Sequence, residues 1–439
     1  MDKRVTVLAL NEINFDFVDK YITKGHLPTF KRLIECHGLS RTTADVRYED
    51  TEPWIQWVTA QTGLSAQEHG VRRLGDIVDH DFHHIWDHLE EHGIRSTIIS
   101  PMNGKTNRKD IGFFVPDPWT QLECQAASGV RKLHGAISQI VASNASGQFQ
   151  KSALLTLGIG LLFYARPANY LKYLRLVKNG LRSRWARAIL LDLLLGDLLL
   201  RQQSKRSSRF SWIFLNAGAH IQHHYMFNSA AYDGQHKNPD WYMDKTTDPL
   251  LATLQIYDDL VGQIETNDPG ARIMIATGLT QDPVERPIYY WRLKDHMDCM
   301  KAFGVQCADI IPLMSRDFVM NFDDAARADT AEVQLGKVTD EAKKRIFEID
   351  NRGTSLFVSL IFNDAINSET KILIEGKPFS GFDEMVAFVA IKNGHHNSTG
   401  FFLDTSETKT TAIDNFKLED IPKKISKAFG LSWSGNAAS

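Results

Sequence analysis

What most constrains the fold of this chain is a rhythm, in which short apolar runs rich in β-branched residues alternate with stretches of helical periodicity. Val5-Thr-Val-Leu-Ala-Leu10 reads as a strand buried in a parallel sheet. Helix follows around Phe15 to Val18 and again over Leu27-Pro28-Thr29-Phe30 to Leu33, with a break at the proline. Phe82, Ile85, Trp86 and Leu89 recur at helical spacing, Gly93 stops that helix, and Ser96 to Ser100 reads as the next strand. Strand texture returns at Trp212–Leu215 and Arg272–Ala276, with an amphipathic helix over Leu250–Ile264 between them. Strand, helix and strand in this order predict βαβ units, and so an α/β protein with a central, mostly parallel sheet flanked by helices.

Two stretches break the rhythm. From 125 to 210 glycine and β-branched residues thin out, Leu, Ala, Arg and Lys take over in helical periods, and fourteen lysines and arginines face only Asp192 and Asp197. This predicts a basic helical insertion. Beyond Pro283 the chain reads as a smaller α+β unit, with strands near Phe318–Phe322, Ser355–Phe362 and Lys371–Glu375. Met385–Ile391 and Gly400–Leu403 are expected to rejoin the sheet. The expected organisation is core 1–124, basic helices 125–210, core 211–284, inserted α+β unit 285–384, and core completion with a tail over 385–439.

Composition narrows the function classes. The formal net charge of -3 gives no global attraction to nucleic acid, and none is expected as a partner. Cys36, Cys124, Cys299 and Cys307 form no Cys-x-x-Cys pair, which argues against a zinc knuckle or a disulfide framework. The first apolar run is shorter than a secretory h-region and ends at Asn11-Glu12, so a cytoplasmic location is expected. The longest apolar stretch, Ala153 to Tyr164, is shorter than the ~20 residues a membrane-spanning helix needs. It suits a buried helix or one lying on a bilayer. Amphipathic helices carrying Phe163, Tyr170, Tyr173 and Trp185 among Arg and Lys fit a peripheral contact at the inner membrane face, against the plainer reading of a solvated helical cap.

The candidate chemistry begins at Thr51-Glu-Pro-Trp, followed by Gln61-Thr-Gly-Leu64 and Glu68-His-Gly-Val71. Gly25-His-Leu-Pro-Thr-Phe, Ile85-Trp-Asp-His-Leu-Glu-Glu-His-Gly and Tyr257-Asp-Asp-Leu-Val-Gly fall in order around it. This series resembles the alkaline phosphatase superfamily, in its type I phosphodiesterase/nucleotide pyrophosphatase branch, over Val5 to Leu403 apart from the helical insertion and the Pro283–Glu384 unit. The resemblance implies an alkaline-phosphatase-like sheet with Thr51 as nucleophile at a helix N-terminus, where N–H groups and the macrodipole favour a phosphoryl anion.

The same resemblance implies two divalent metals, and here the sequence departs from it. The family's first aspartate falls at Asn11, with Glu12 beside it. Its Asp-x-x-x-His element falls at Ala219-His-Ile-Gln-His223, and its Ser-Asp-His-Gly element at Thr277-Gly-Leu-Thr280, which offers no ligand. Its last histidine matches His396. One site thus retains His223 and His396, with His220 as a third imidazole, while the second is dismantled. Imidazoles suit zinc, with manganese the alternative. Glu12 is expected to complete the site or act as base, and Asn11 and His224 to line the substrate pocket.

Each residue has a plainer reading. Thr51 is equally a helix N-cap, and His223 and His396 are equally hydrogen-bonded pocket histidines of an inactive relative. His80, His84, His88 and His92, spaced by four, are expected on a solvated face. Gly104-Lys-Thr is no phosphate loop, because Ile99 stands where the first glycine is required. The expected function is a metal-dependent phosphoesterase, either a hydrolase or a phosphoryl transferase. Its substrate would be an anionic phosphate ester, free or linked to lipid or glycan. The competing readings are an inactive binding or scaffold relative and a sulfatase-like hydrolase.

Overall fold

Every residue of β1 (Val5–Leu10) is buried, and its side chains divide by parity. Leu8 and Leu10 enter one apolar cluster, while Val5, Val7 and Ala9 enter a second on the opposite face. A strand with apolar partners on both sides belongs inside a covered sheet. The computed structural model describes residues 3–44, 51–143, 150–180, 183–205, 207–313, 316–409, 415–433 and 435. Its main sheet comprises β1, β2 (Ser40–Thr43), β3 (Ser96–Ile99), β4 (Phe113–Val115), β5 (Phe210–Leu215), β6 (Arg272–Ala276), β7 (Thr399–Asp404) and β8 (Asn415–Lys417). Their spatial order is β8-β2-β7-β6-β1-β5-β3-β4. β1 pairs in parallel with β5 and β6, with Val5 opposite Phe210 and Arg272, and β3 pairs in parallel with β5 and β4. β7 runs antiparallel to both β6 and β2. The expected mostly parallel α/β sheet is therefore present.

Helices cover both faces. On the Leu8 side lie α1 (Phe15–Thr23) and α2 (Pro28–His37). On the Val7 side lie α3 (Pro53–Thr62), followed by the short α4 (Ala66–His69), and α5 (Ile85–Glu91). The basic stretch forms α6 (Ser128–Ser143), α7 (Lys151–Tyr164), α8 (Tyr170–Gly180) and α9 (Arg184–Ser204). It shares its core with the sheet: Val130, Tyr173, Trp185 and Leu194 join Leu8 and Leu10 in one apolar cluster. α10 (Ala217–Tyr225) and α11 (Pro249–Asn267) complete that layer.

The chain divides into two compact units, the second spanning Val284–Asn393. This unit has its own core around Phe303, Phe318, Phe347 and Phe382. A four-stranded antiparallel sheet runs in the order Phe347–Asn351, Ser355–Leu360, Asp317–Asn321, Asp309–Pro312, beside a three-stranded sheet and the helices His296–Ala302 and Ala325–Leu335. One expectation fails here. Met385–Ile391 does not rejoin the main sheet; Val386–Asn397 pairs with Thr280–Leu293 in a two-stranded ribbon. Most of its residues are only half-buried, which suits a ribbon rather than a covered central strand.

Candidate metal centre

The C-terminal ends of β1, β5 and β6 deliver Asn11-Glu12, Asn216 and Thr277 to one edge of the sheet, where α/β proteins place their ligands. Because β7 runs the other way, the segment leading into it brings His396 to the same edge. Asn11 N–H bonds to Leu215 O at 3.0 Å and Glu12 N–H to Thr277 O at 3.1 Å. These bonds turn the chain sharply, and Glu12 adopts φ 59, a left-handed conformation that costs a bulky residue roughly 1–2 kcal/mol.

α10 holds this turn in place. Gln222 donates to Glu12 O at 2.6 Å and accepts from Asn14 N at 3.1 Å, gripping both sides of the bend. Gly218 permits the approach, since a Cβ there would stand 2.2 Å from Ile13 Cδ1. The start of α10 is capped from α9: Asp192 accepts from Asn216 N and Ala217 N at 3.3 and 2.8 Å and from Tyr257 OH at 2.5 Å. Burial, first among the causes, pushes the Asp192 carboxyl up to about 6, against the pull of these bonds.

Three donor atoms converge above the turn. Glu12 Oε2 lies 3.2 Å from His223 Nε2 and 3.2 Å from His396 Nε2, and the two imidazole nitrogens are 3.2 Å apart. Glu12 is 2% exposed, and the imidazoles are more open, at 15% for the His396 side chain and 23% for His223. The far ring nitrogens are also engaged. His223 Nδ1 faces Gly394 O at 3.2 Å, and His396 Nδ1 faces Glu52 Oε2 at 3.5 Å. A neutral ring that carries its proton on Nδ1, toward these acceptors, turns its Nε2 lone pair into the cluster, whereas an imidazolium donates Nε2–H to Glu12.

Two lone pairs and a carboxylate oxygen at this spacing repel one another unless a cation sits among them, either a proton or a metal ion. Burial alone would raise the Glu12 carboxyl. His396 and His223 outweigh burial and hold it well below the usual carboxylate range. The donor set also fits a metal. Tetrahedral ligands with bonds of about 2.0–2.1 Å stand about 3.3–3.4 Å apart, close to the three 3.2 Å separations.

A shell of amides surrounds the carboxylate. Asn11 Nδ2 donates to Glu12 Oε1 at 3.0 Å and to Asn216 Oδ1 at 2.8 Å, and Gln281 Nε2 donates to Glu12 Oε2 and to Ala219 O. Asn11 Oδ1 is taken by the Trp57 indole N–H at 2.6 Å. Gly278, at φ 73, lies flat against the same indole, where a Cβ would come within 3.0 Å of Cε2. An indole therefore fills the space between Asn11 and the Thr277–Thr280 turn. Among the described residues no donor cluster forms there.

The remaining sequence-predicted residues distribute unevenly. Asn11 is buried and touches Glu12, as above. His220 stands outside the donor cluster, its ring 5.0 Å from His224 and 6.3 Å from Tyr225. Burial, then His223, pushes its imidazole down to about 4. His224 packs at 6.1 Å from His223, ring to ring. Thr51 is buried, but Glu52 rather than Thr51 is the cap residue of α3, because Pro53 occupies the first helical turn. Glu52 is the site residue that the sequence reading missed. Its position directly after the candidate nucleophile was the available signal.

The histidine stripe is also corrected. His84 and His88 are buried, 0% and 4% exposed, His84 stacked on Trp86 and His88 against Trp433, while His92 is exposed as expected. His83, His88 and Glu91 form a second group of possible metal donors.

No family model and no curated protein matches this chain. Among solved structures it is similar to phosphonoacetate hydrolase from Sinorhizobium meliloti 1021 in complex with phosphonoformate. That match has 12% identity and a TM-score of 0.46, over 96% of this chain and 94% of that one. It is similar to human ectonucleotide pyrophosphatase/phosphodiesterase 5, with 10% identity and a TM-score of 0.46 over 99% and 97%. A variant of TAB5 alkaline phosphatase with magnesium bound matches at 10% identity and TM-score 0.41, over 98% and 99%.

Proposed function

We propose that this protein is a phosphoester hydrolase with one divalent ion, most simply zinc, held by Glu12, His223 and His396. The observation that carries the reading is the triangle of three donor atoms, each 3.2 Å from the other two, at the ligand-binding edge of the sheet. When bound, such an ion supplies Lewis-acid polarisation of a phosphoryl oxygen.

The chain's own groups do the rest. Asn11 and Gln281 orient the Glu12 carboxylate, and Gly394 O and Glu52 set the imidazole tautomers. A carboxyl held so far below its usual range is a weak base, which favours Glu12 as ligand over the base role. Thr51, buried beside Glu52, is assigned the phosphoryl-accepting or phosphoryl-anchoring role by its match to the nucleophile segment. In the net reaction water adds across the P–O bond, and the alcohol leaves with a proton that water supplied.

Glu52 adds a selectivity. Its carboxylate, half-exposed beside His396, opposes a doubly charged monoester more than a singly charged diester. We therefore assign the diester as substrate class. The test is metal content by elemental analysis of protein purified without chelator, alongside His223→Ala and His396→Ala. Turnover of bis(p-nitrophenyl) phosphate, p-nitrophenyl phosphate and p-nitrophenyl sulfate is measured in parallel. About one ion per chain, lost in both variants, with the diester preferred, is the expected result. No metal after addition of zinc and manganese would sink the reading.

A further inference from the structure

The helices α7 and α8 turn strongly apolar side chains outward. Leu155, Leu162, Phe163, Leu171 and Leu174 are 66%, 78%, 68%, 70% and 66% exposed. Isolated exposed leucines are ordinary, but a 14-residue helix and its successor both carrying such a face is not. On α8 the pattern is two-sided: Tyr173 and Leu176 are buried, while Leu171 and Leu174 point away from them. Neither helix is long and apolar enough to cross a membrane.

Charge identifies what covers this face. Residues 125–210 hold five lysines and nine arginines against two aspartates, a formal +12 in a chain whose total is -3, which leaves -15 elsewhere. Both aspartates are consumed inside the fold. Asp192 caps α10, and Asp197 accepts from Arg166 N, Asn169 Nδ2 and Tyr173 OH. Neither reaches the surface to offset the cations. Lys151, Arg175 and Lys178 are exposed next to the apolar residues, whereas Lys172 is paired with Asp259 of α11. A second copy docking on this face through a two-fold axis would set cations against cations. An anionic bilayer satisfies both features, accepting the leucines among its acyl chains and the bases among its headgroups.

We propose that the outward faces of α7 and α8 dock this protein onto an anionic lipid bilayer. The inference is independent of the metal centre. A chain that binds vesicles without metal refutes only the hydrolase reading, and a chain that binds metal without vesicles refutes only this one.

The test uses the full chain in co-sedimentation with phosphatidylcholine vesicles and with vesicles that also contain phosphatidylserine. Binding is expected to be at least about ten-fold stronger with phosphatidylserine and to weaken as salt rises. Leu162→Glu with Phe163→Glu, and separately Leu171→Glu with Leu174→Glu, should each lower the partition at least about ten-fold. All four sites are exposed, so these variants keep the fold, which far-UV circular dichroism checks. Equal binding to both vesicles, or unchanged binding by either double variant, overturns the proposal. So does a dimer, seen by sedimentation velocity without lipid, that the same substitutions disperse.

Discussion

Substituting Glu12 by Gln tests the metal centre at its most buried donor, and the structure sets the size of the effect. The change keeps the shape of the side chain, removes its charge and replaces one oxygen by an NH2 group. Both carboxylate oxygens already accept from amides: Oε1 from Asn11 Nδ2 and Oε2 from Gln281 Nε2. Neither amide is free to turn over. Asn11 Oδ1 is held by the Trp57 indole, and Gln281 Nε2 also donates to Ala219 O. Whichever way the new amide points, N–H therefore faces N–H on one side. With its NH2 in the Oε2 position the new amide still finds acceptors in the neutral imidazole Nε2 atoms, 3.2 Å away, and Gln281 keeps Ala219 O, so the metal-free protein is expected to lose about 1 kcal/mol, the net worth of one hydrogen bond.

Metal binding adds a second loss. A neutral carboxamide replaces the one anionic ligand of three, and we expect the dissociation constant for zinc to rise at least about 100-fold, roughly 2.8 kcal/mol. Isothermal titration of zinc into both proteins measures this directly. Thermal melts with and without zinc measure the linked stabilisation, which is about 2.7 kcal/mol when free metal is 100 times the dissociation constant. A Glu12→Gln variant that binds zinc within about threefold of the wild type would refute the donor assignment, because that change is well under one decade of affinity.

Two further outcomes concern the scaffold. His84 is fully buried against Trp86, with ring centroids 4.9 Å apart, and burial pushes its imidazole down to about 3. Its unfolded value is about 6.5, so the unfolded chain binds the proton first. Stability is complete above pH 6.5 and is lost progressively as pH falls toward 3, by about 2 kcal/mol at pH 5. The stability lost between pH 7 and pH 5 in urea denaturation should be about 2 kcal/mol smaller in His84→Phe than in the wild type. Asp404 is buried at the end of β7 and takes Arg272 Nε at 2.8 Å, with a second bond to Nη2, tying β7 to β6. Asp404→Ala should cost about 3 kcal/mol, the low end for a buried pair, because the Arg272 side chain keeps 26% exposure and partial hydration. A change under about 1 kcal/mol would place the pair among surface bridges.

The central strands of the parallel sheet were legible in the sequence because each announces itself locally, whereas the short edge strands Ser40–Thr43, Phe113–Val115 and Asn415–Lys417 were not read. Val5–Leu10, Phe210–Leu215 and Arg272–Ala276 are short, β-branched or aromatic, and apolar on both faces, and a strand of that kind has few places to go. Glu12, His223 and His396 were legible as candidates because they fall at or beside the positions where the family resemblance implies metal ligands. Their convergence was not. It depends on three strand ends, one antiparallel strand and a left-handed residue acting together, which no local window contains.

The tertiary structure alone separated His220 from His223, one helical turn apart, by packing one ring against His224 and leaving the other facing Glu12. It brought Glu52 to His396 across more than three hundred residues of chain. It also buried His84 and His88, which spacing assigned to water. Periodicity tells a helix which of its faces differ, but not what each face meets. That is decided by the elements that arrive from elsewhere in the chain, and so it is a property of packing rather than of sequence.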